Sequence, residues 1–152
     1  MNIVLVEPEI PANTGNIART CAVTGTALHL IKPLGFSTGD KYLKRAGLDY
    51  WHLVEVIYHD SFEEFAARNK GGRFYFATTK ATSFYTEITY EPGGFLIFGR
   101  ETKGLPPEIL GGYQGAQIRL PMISAARSLN LANSAAVVLY EALRQQGFPD
   151  LR

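Results

Sequence analysis

The chain is predicted to be an α/β protein with a mostly parallel sheet and helices on both faces. Three observations predict this. Apolar runs of strand length, rich in Val, Ile, Leu, Phe or Tyr, recur along the whole sequence. Helical patterns rather than two-residue hairpin turns fall between several of them. Proline and glycine stand where helices would start and stop. No internal repeat, low-complexity stretch or long linker divides the 152 residues, so one domain over 1–152 is expected.

Taken in order, Asn2–Glu7 (NIVLVE) reads as the first strand and Thr14–Thr24 as the first helix, with Asn13 placed to cap it and Gly25 just past its end. Leu28–Lys32 and Leu53–His59 are the next strands, followed by a helix over Ser61–Arg68. Arg73–Thr78 and Gly94–Gly99 are two further strands. Pro106 or Pro107 opens a short helix ending at Leu110, because proline costs nothing in a first turn. Gln117–Pro121 is the last strand, and Ser128–Gln146 the last helix, with Gly147 following it. That helix is apolar on two faces: Leu129, Ala132, Ala136, Tyr140 and Leu143 on one, Leu131, Ala135, Val138 and Ala142 on the other. It must be covered on two sides, either deep inside one subunit or between the sheet and a second copy.

Composition excludes several classes. No apolar run approaches the ~20 residues of a membrane span. The opening MNIVLVEPEIP lacks a basic segment and reads as a strand, not a signal peptide. One cysteine, Cys21, forbids an internal disulfide and fits a reducing compartment, so a cytoplasmic location is expected. A net charge of +1 says nothing for or against nucleic acid; two local clusters do stand out. One is Lys41, Lys44 and Arg45, the other Arg100, Lys103, Arg119 and Arg127. His29, His52 and His59 lack ligand spacing, so no metal site is expected. Neither GxGxxG after the first strand nor GxxxxGK[ST] occurs, which argues against dinucleotide and P-loop sites. No serine lies in a GxSxG elbow.

Three segments carry candidate chemistry. In PEIPANTGNIARTCAVTG, Asn16 and Arg19 share one helix face while Ile17 and Cys21 share another that can face the core. In FLIFGRETKGLPPEIL, Gly99 and Gly104 permit close backbone approach, and Glu101 stands between Arg100 and Lys103, able to pair internally or accept from a ligand. In IRLPMISAARSLNLANSAAVVLY, small residues and Arg127 lead to Ser128, Asn130 and Asn133 at the start of the last helix. Ser128 is the expected cap, and asparagines at the mouth of a buried helix are costly unless something uses them. All three segments follow strands, so all can lie at one sheet edge, where open α/β sheets bind ligands.

In this order and at these separations, NIVLVEPEIPANTGNIARTCAVTG, KRAGLDYW, FGRETKGLP and IRLPMISAARSLNLANSAAVVLYEALRQ resemble the SPOUT superfamily of RNA methyltransferases. The match is nearest to its branch that methylates the ribose 2′-hydroxyl of the tRNA wobble nucleotide, cytidine or modified uridine, with leucine tRNAs as implied substrates. The resemblance spans essentially the whole chain. It implies an α/β sheet with a C-terminal trefoil knot, S-adenosyl-L-methionine as methyl donor with S-adenosyl-L-homocysteine as product, no metal, and a homodimer formed through the C-terminal helix. Carried over by position, it puts Ala77, Thr78, Gly99, Glu101, Leu120, Met122, Ser128 and Leu129 at the cofactor. It puts Arg19 beside the acceptor ribose with Asn16 and Asn130 as polar helpers, and RNA on Lys41, Lys44, Arg45 and Arg127. The family often has proline where this chain has Arg100. A guanidinium pKa above ~12 makes Arg19 an orienting cation rather than a base. Two other readings remain open from sequence: a methyltransferase of the same superfamily acting on another tRNA or rRNA ribose, and a non-catalytic ligand- or RNA-binding module of flavodoxin-like architecture.

Overall fold

A computed structural model describes residues 1–39, 41, 45 and 50–152. Six strands form one sheet: β1 (Asn2–Val6), β2 (Ala27–Ile31), β3 (Val56–His59), β4 (Phe74–Ala77), β5 (Phe95–Phe98) and β6 (Ala116–Ile118), in the order β3-β2-β1-β5-β4-β6. Every pairing is parallel, so the expected mostly parallel sheet is wholly parallel among the described strands. The helices whose bounds fall within the described residues are α1 (Pro11–Thr24), α2 (Phe62–Arg68), α3 (Pro107–Gly112) and α4 (Leu131–Gln145).

The two-residue period of the strands separates two apolar layers. Ile3, Leu5, Leu28, Leu30, Tyr75, Leu96 and Phe98 face one side, with Ile17, Ala18 and Cys21 of α1 and Ala135, Val138, Leu139, Ala142 and Leu143 of α4. Val4, Val6, Ile31, Phe74, Phe76, Phe95 and Ile97 face the other, with Phe62 and Phe65 of α2 and Ile109 of α3. Helices therefore cover both faces, as the buried, near-continuous apolar strands require.

Boundaries moved where distant contacts or turn chemistry decide them. Trp51–Leu53 is a short 3-10 turn, so β3 starts at Val56 and not Leu53. Asn13 does not cap α1: Ile10 holds that position, Pro11 opens the helix, and Asn13 is buried inside its first turn. Gly25 does end α1 in the left-handed region, φ 65°. Pro106 is the cap residue of α3 and Pro107 its first helical residue. Ser128 is exposed and outside α4, which begins three residues later under an Asn130 cap. Asn130 and Asn133 are both exposed, so the expected burial penalty does not arise. Of the two predicted apolar faces of α4, one has Ala135, Val138 and Ala142 buried; on the other, Leu143 is buried too, while Tyr140 and, just before the helix, Leu129 stand 43–44% exposed, as does Val137 beside them at 39%. One side of this helix is spent on the sheet and the other is open.

The second layer contains a buried polar pair. Nδ1 of His29 and Nε2 of His59 are 2.9 Å apart, inside a ring of Phe65 and Phe95 edges. Burial first, and then the neighbouring ring of His59, lower the pKa of His29 from 6.5 to about 4; burial lowers that of His59 as well. Both rings fold neutral. Their folded pKa values lie below the unfolded ones, so their contribution is intact above about 6.5 and is lost as pH falls from there toward 4. We expect the thermal midpoint to drop over that window and His29→Gln to flatten the drop; parallel pH profiles of the two proteins would refute it.

Candidate active site

The carboxyl ends of β1 and β5 lie side by side, and the chain leaves them toward different elements. In an open α/β sheet, this is where a crevice forms. Two long loops converge on it. Residues 99–104 fold back tightly: Arg100 N–H donates to the Gly104 carbonyl at 3.2 Å and Gly104 N–H returns a bond to Arg100 at 2.8 Å, with Gly104 at φ 67°. Gly99 is enclosed by this turn. A Cβ there would lie 2.1 Å from the Gly104 carbonyl carbon and 2.2 Å from the Leu105 nitrogen.

Three consecutive side chains then clasp the β1–α1 connection. Arg100 forms an ion pair with Glu7. Thr102 donates to the Glu9 carboxylate from its backbone at 3.1 Å and from its hydroxyl at 2.7 Å. Between them Glu101 accepts from Glu9 N–H (2.8 Å), Ile10 N–H (3.1 Å) and Asn13 Nδ2 (3.2 Å). Helix α1 has no acid in its own first turn, so Glu101 supplies the negative charge that its N-terminus favours. Of the two roles the sequence allowed Glu101, internal pairing or accepting from a ligand, the structure shows the internal one: its carboxylate oxygens are engaged by these three donors.

The bond pattern continues into α4. Asn13 Oδ1 accepts from Asn130 Nδ2 at 3.0 Å, and Asn130 Oδ1 accepts from the N–H groups of Ala132 and Asn133. Each amide thus donates toward Glu101 and accepts from the α4 side. One directional chain ties β5, α1 and α4 together.

Below this chain lies a cavity of about 490 Å³, within the range of small-molecule sites. Its walls include all eight positions expected at a cofactor: Ala77, Thr78, Gly99, Glu101, Leu120, Met122, Ser128 and Leu129. Arg127 and Asn130 line it too, as do Ile10, Lys80 and Arg119, which were not anticipated as part of this site. Leu105, Ile118 and Leu131 add apolar wall, and Thr79, Gly104 and Ser134 add small residues. A second recess, about 600 Å³, runs between α1 and α4. It holds Asn16, Arg19 and Asn130 with Thr20, Val23, Ala132, Asn133 and Ala136. Asn130 lines both spaces. Arg19 is exposed there, its guanidinium 4.6 Å from the centre of the Tyr50 ring. A larger recess of about 800 Å³ lies at the opposite, amino edge between Asn69–Tyr75 and Tyr113–Ala116, and holds none of the candidate residues.

Lys41 and Arg45 are exposed, whereas Lys44 lies outside the described residues. Among the described residues, no cluster of His, Cys, Asp or Glu could hold a metal ion, and no helix is long and apolar enough to cross a membrane.

A family model described as the SpoU rRNA methylase family matches residues 1–140. The chain belongs to the SpoU rRNA methylase family. Members similar along their whole length include a tRNA (cytidine(34)-2′-O)-methyltransferase from Escherichia coli K12, 49% identical over 98% of this chain and 96% of that protein. Another of the same name from Methylovorus glucosotrophus is 52% identical over 97% of this chain and 96% of that protein. A solved structure concerned with 2-OH methylation of C/U34 on tRNA superposes with TM-score 0.92, at 44% identity over 96% of this chain and 95% of that one. An AdoMet-bound rRNA methyltransferase from Sinorhizobium meliloti, 27% identical, superposes with TM-score 0.84 over 94% of this chain and 55% of that longer one. Within the SpoU family the sequence pattern thus located the cavity walls, but not the residues that brace them. Nothing in the sequence marked Glu7, Glu9 and Thr102 as braces, since partners more than ninety positions apart leave no local signal.

Proposed function

We propose that this SpoU-family protein transfers a methyl group from S-adenosyl-L-methionine to the ribose 2′-hydroxyl of the wobble nucleotide of tRNA, cytidine or uridine, acting in the cytoplasm. The observation that carries this reading is the meeting of two spaces at Asn130. One is lined largely by apolar and small residues, and suits an adenosine. The other is open and holds Arg19, and suits an acceptor ribose and its phosphates. Similarity to full-length relatives named for this reaction supports the substrate.

The sulfonium supplies an already activated methyl. What remains for the protein is alignment and the handling of one proton. Gly99 and the turn behind it shape the cofactor wall, and Glu101, Asn13 and Asn130 fix that wall relative to α1. Arg19, held against Tyr50, stabilises the developing alkoxide or the adjacent phosphate as the hydroxyl proton passes to water. Methyl transfer breaks the sulfur–carbon bond and forms the oxygen–carbon bond, and leaves S-adenosyl-L-homocysteine.

The segment Leu120–Leu131, which lines the cavity opposite residues 99–105, is the part we assign to the trefoil knot. A second copy would cover the open side of α4, where Val137 and Tyr140 adjoin the recess that also exposes Val23 of α1. RNA would then cross both subunits on Lys41, Lys44, Arg45 and Arg127, with salt-dependent affinity. Leucine tRNAs are the proposed substrates.

The deciding experiment is transfer of labelled methyl from S-adenosyl-L-methionine to bulk tRNA, followed by mapping of the modified nucleotide. Label at a wobble 2′-oxygen is the expected result; label elsewhere, or none, overturns the reading. In the same assay Arg19→Ala should lower turnover by a factor of about 100 or more while leaving S-adenosyl-L-homocysteine binding within about twofold.

A further inference from the structure

The cavity contains one cation that the fold does not use. Lys80, Lys103 and Arg127 line it from exposed positions, where water solvates them, and Arg100 is taken by Glu7. Arg119 differs. It sits half-buried directly after β6, its backbone locked to the neighbouring loop by bonds from its N–H to Ser83 (3.0 Å) and from Tyr85 N–H to its carbonyl (2.9 Å). Its guanidinium carbon rests 5.7 Å from the centre of the Phe84 ring. Its Nε is buried and has no hydrogen-bond acceptor.

A buried guanidinium donor without an acceptor is costly, and such groups persist where something else uses them. The cavity offers no internal solution. Glu101 is the only carboxylate among its lining residues, and its oxygens are held by Glu9, Ile10 and Asn13. An anion brought by a ligand would supply the acceptor. Backbone bonds and the Phe84 ring hold Arg119 in place beforehand, so little side-chain freedom is left to lose on binding. The planar fork of arginine matches a carboxylate with two parallel bonds, which a lysine cannot reproduce.

We propose that Arg119 is the receptor for the carboxylate at the amino-acid end of the methyl donor and of its thioether product. The inference rests on the cofactor reading given above. The carboxylate is the only anionic group that ligand carries, and Arg119 is the only half-buried cation in the cavity whose guanidinium has neither a hydrogen-bond acceptor nor an ion-pair partner among the described residues.

The test compares two ligands on the full-length protein by titration calorimetry: S-adenosyl-L-homocysteine, and its decarboxylated analogue in which the amino-acid end is a 3-aminopropyl chain. In the wild type the decarboxylated ligand should bind more weakly by a factor of about 10 to 100. Arg119→Gln should weaken S-adenosyl-L-homocysteine by a similar factor while changing the analogue less than about twofold, which erases the difference between the ligands. Arg119→Lys keeps charge and stem but not the fork, and should restore only part of the discrimination. It also serves where the Gln variant does not fold. Equal losses for both ligands would reduce Arg119 to a wall residue and overturn the proposal, as would no loss for either. Unchanged ligand binding with weaker RNA binding and a shallower salt dependence would overturn it in favour of a phosphate. Failure of the wild type to bind either ligand would instead refute the cofactor reading beneath it.

Discussion

Gly99→Ala is expected to abolish cofactor binding while Gly104→Ala, five residues away, is tolerated. The contrast follows from what surrounds each Cα. At Gly99 an added methyl would meet three backbone atoms of the returning turn, the nearest at 2.1 Å. None of them is the tip of a flexible side chain. The turn is closed by two Arg100–Gly104 hydrogen bonds and pinned by the Glu7 and Glu9 contacts, so it can only yield by opening. Overpacking of this kind costs about 1–3 kcal/mol or more, and here the displaced atoms are the cavity wall itself. At Gly104 there is open space around a Cβ, and the penalty is the positive φ of 67°, worth roughly 1 kcal/mol. Calorimetric titration with S-adenosyl-L-homocysteine should show at least a hundredfold loss for Gly99→Ala and less than about tenfold for Gly104→Ala. Similar affinities in the two variants would mean that the turn does not shape the ligand site.

That turn also marks the boundary of what sequence could reveal. Strands β1, β2, β4 and β5 were legible because each is a short apolar run buried along nearly all its length. The cavity walls were legible for a related reason: glycine and small residues placed directly after strands signal close backbone approach. The bracing was not. Asn13 has the chemistry of a helix cap and stands beside a helix start, so local reasoning made it one. The actual negative charge at α1 comes from Glu101, 88 residues on from Asn13. Ser128 likewise lost the cap of α4 to Asn130, because Asn130 is already oriented by Asn13. At Arg100, where the family often has proline, the ion pair to Glu7 anchors the turn through a side chain instead of a ring.

Glu101→Ala should cost more turnover than cofactor affinity. Its carboxylate serves three donors at the start of α1, and removing it leaves Glu9 N–H, Ile10 N–H and Asn13 Nδ2 to find water in a partly buried place. Unpaired donors of this sort cost about 1–3 kcal/mol, and a chain of this length loses roughly 2–4 °C of thermal midpoint per kcal/mol. The larger consequence is directional. Asn13 donates to Glu101 and accepts from Asn130, which accepts in turn from the N-terminal amides of α4. With the carboxylate gone, the Asn13 amide keeps only the bond it accepts from Asn130, and its own NH2 loses its acceptor. The Asn130 amide, which lines both cavities, keeps its direction from the Ala132 and Asn133 N–H groups but is tied to α1 through a less firmly held Asn13. Glu101→Gln is a sharper probe, because its amide oxygen can serve two of the donors only by turning its NH2 toward the Glu9 N–H. We expect turnover under saturating cofactor to fall by about a hundredfold in Glu101→Ala and by a smaller factor in Glu101→Gln. Asn13→Ala should be strongly non-additive with either, since the two residues act through one chain of bonds. Additive losses in that double-mutant cycle would show that Glu101 acts on the cofactor wall alone and not through Asn13 on the junction where the methyl group must cross.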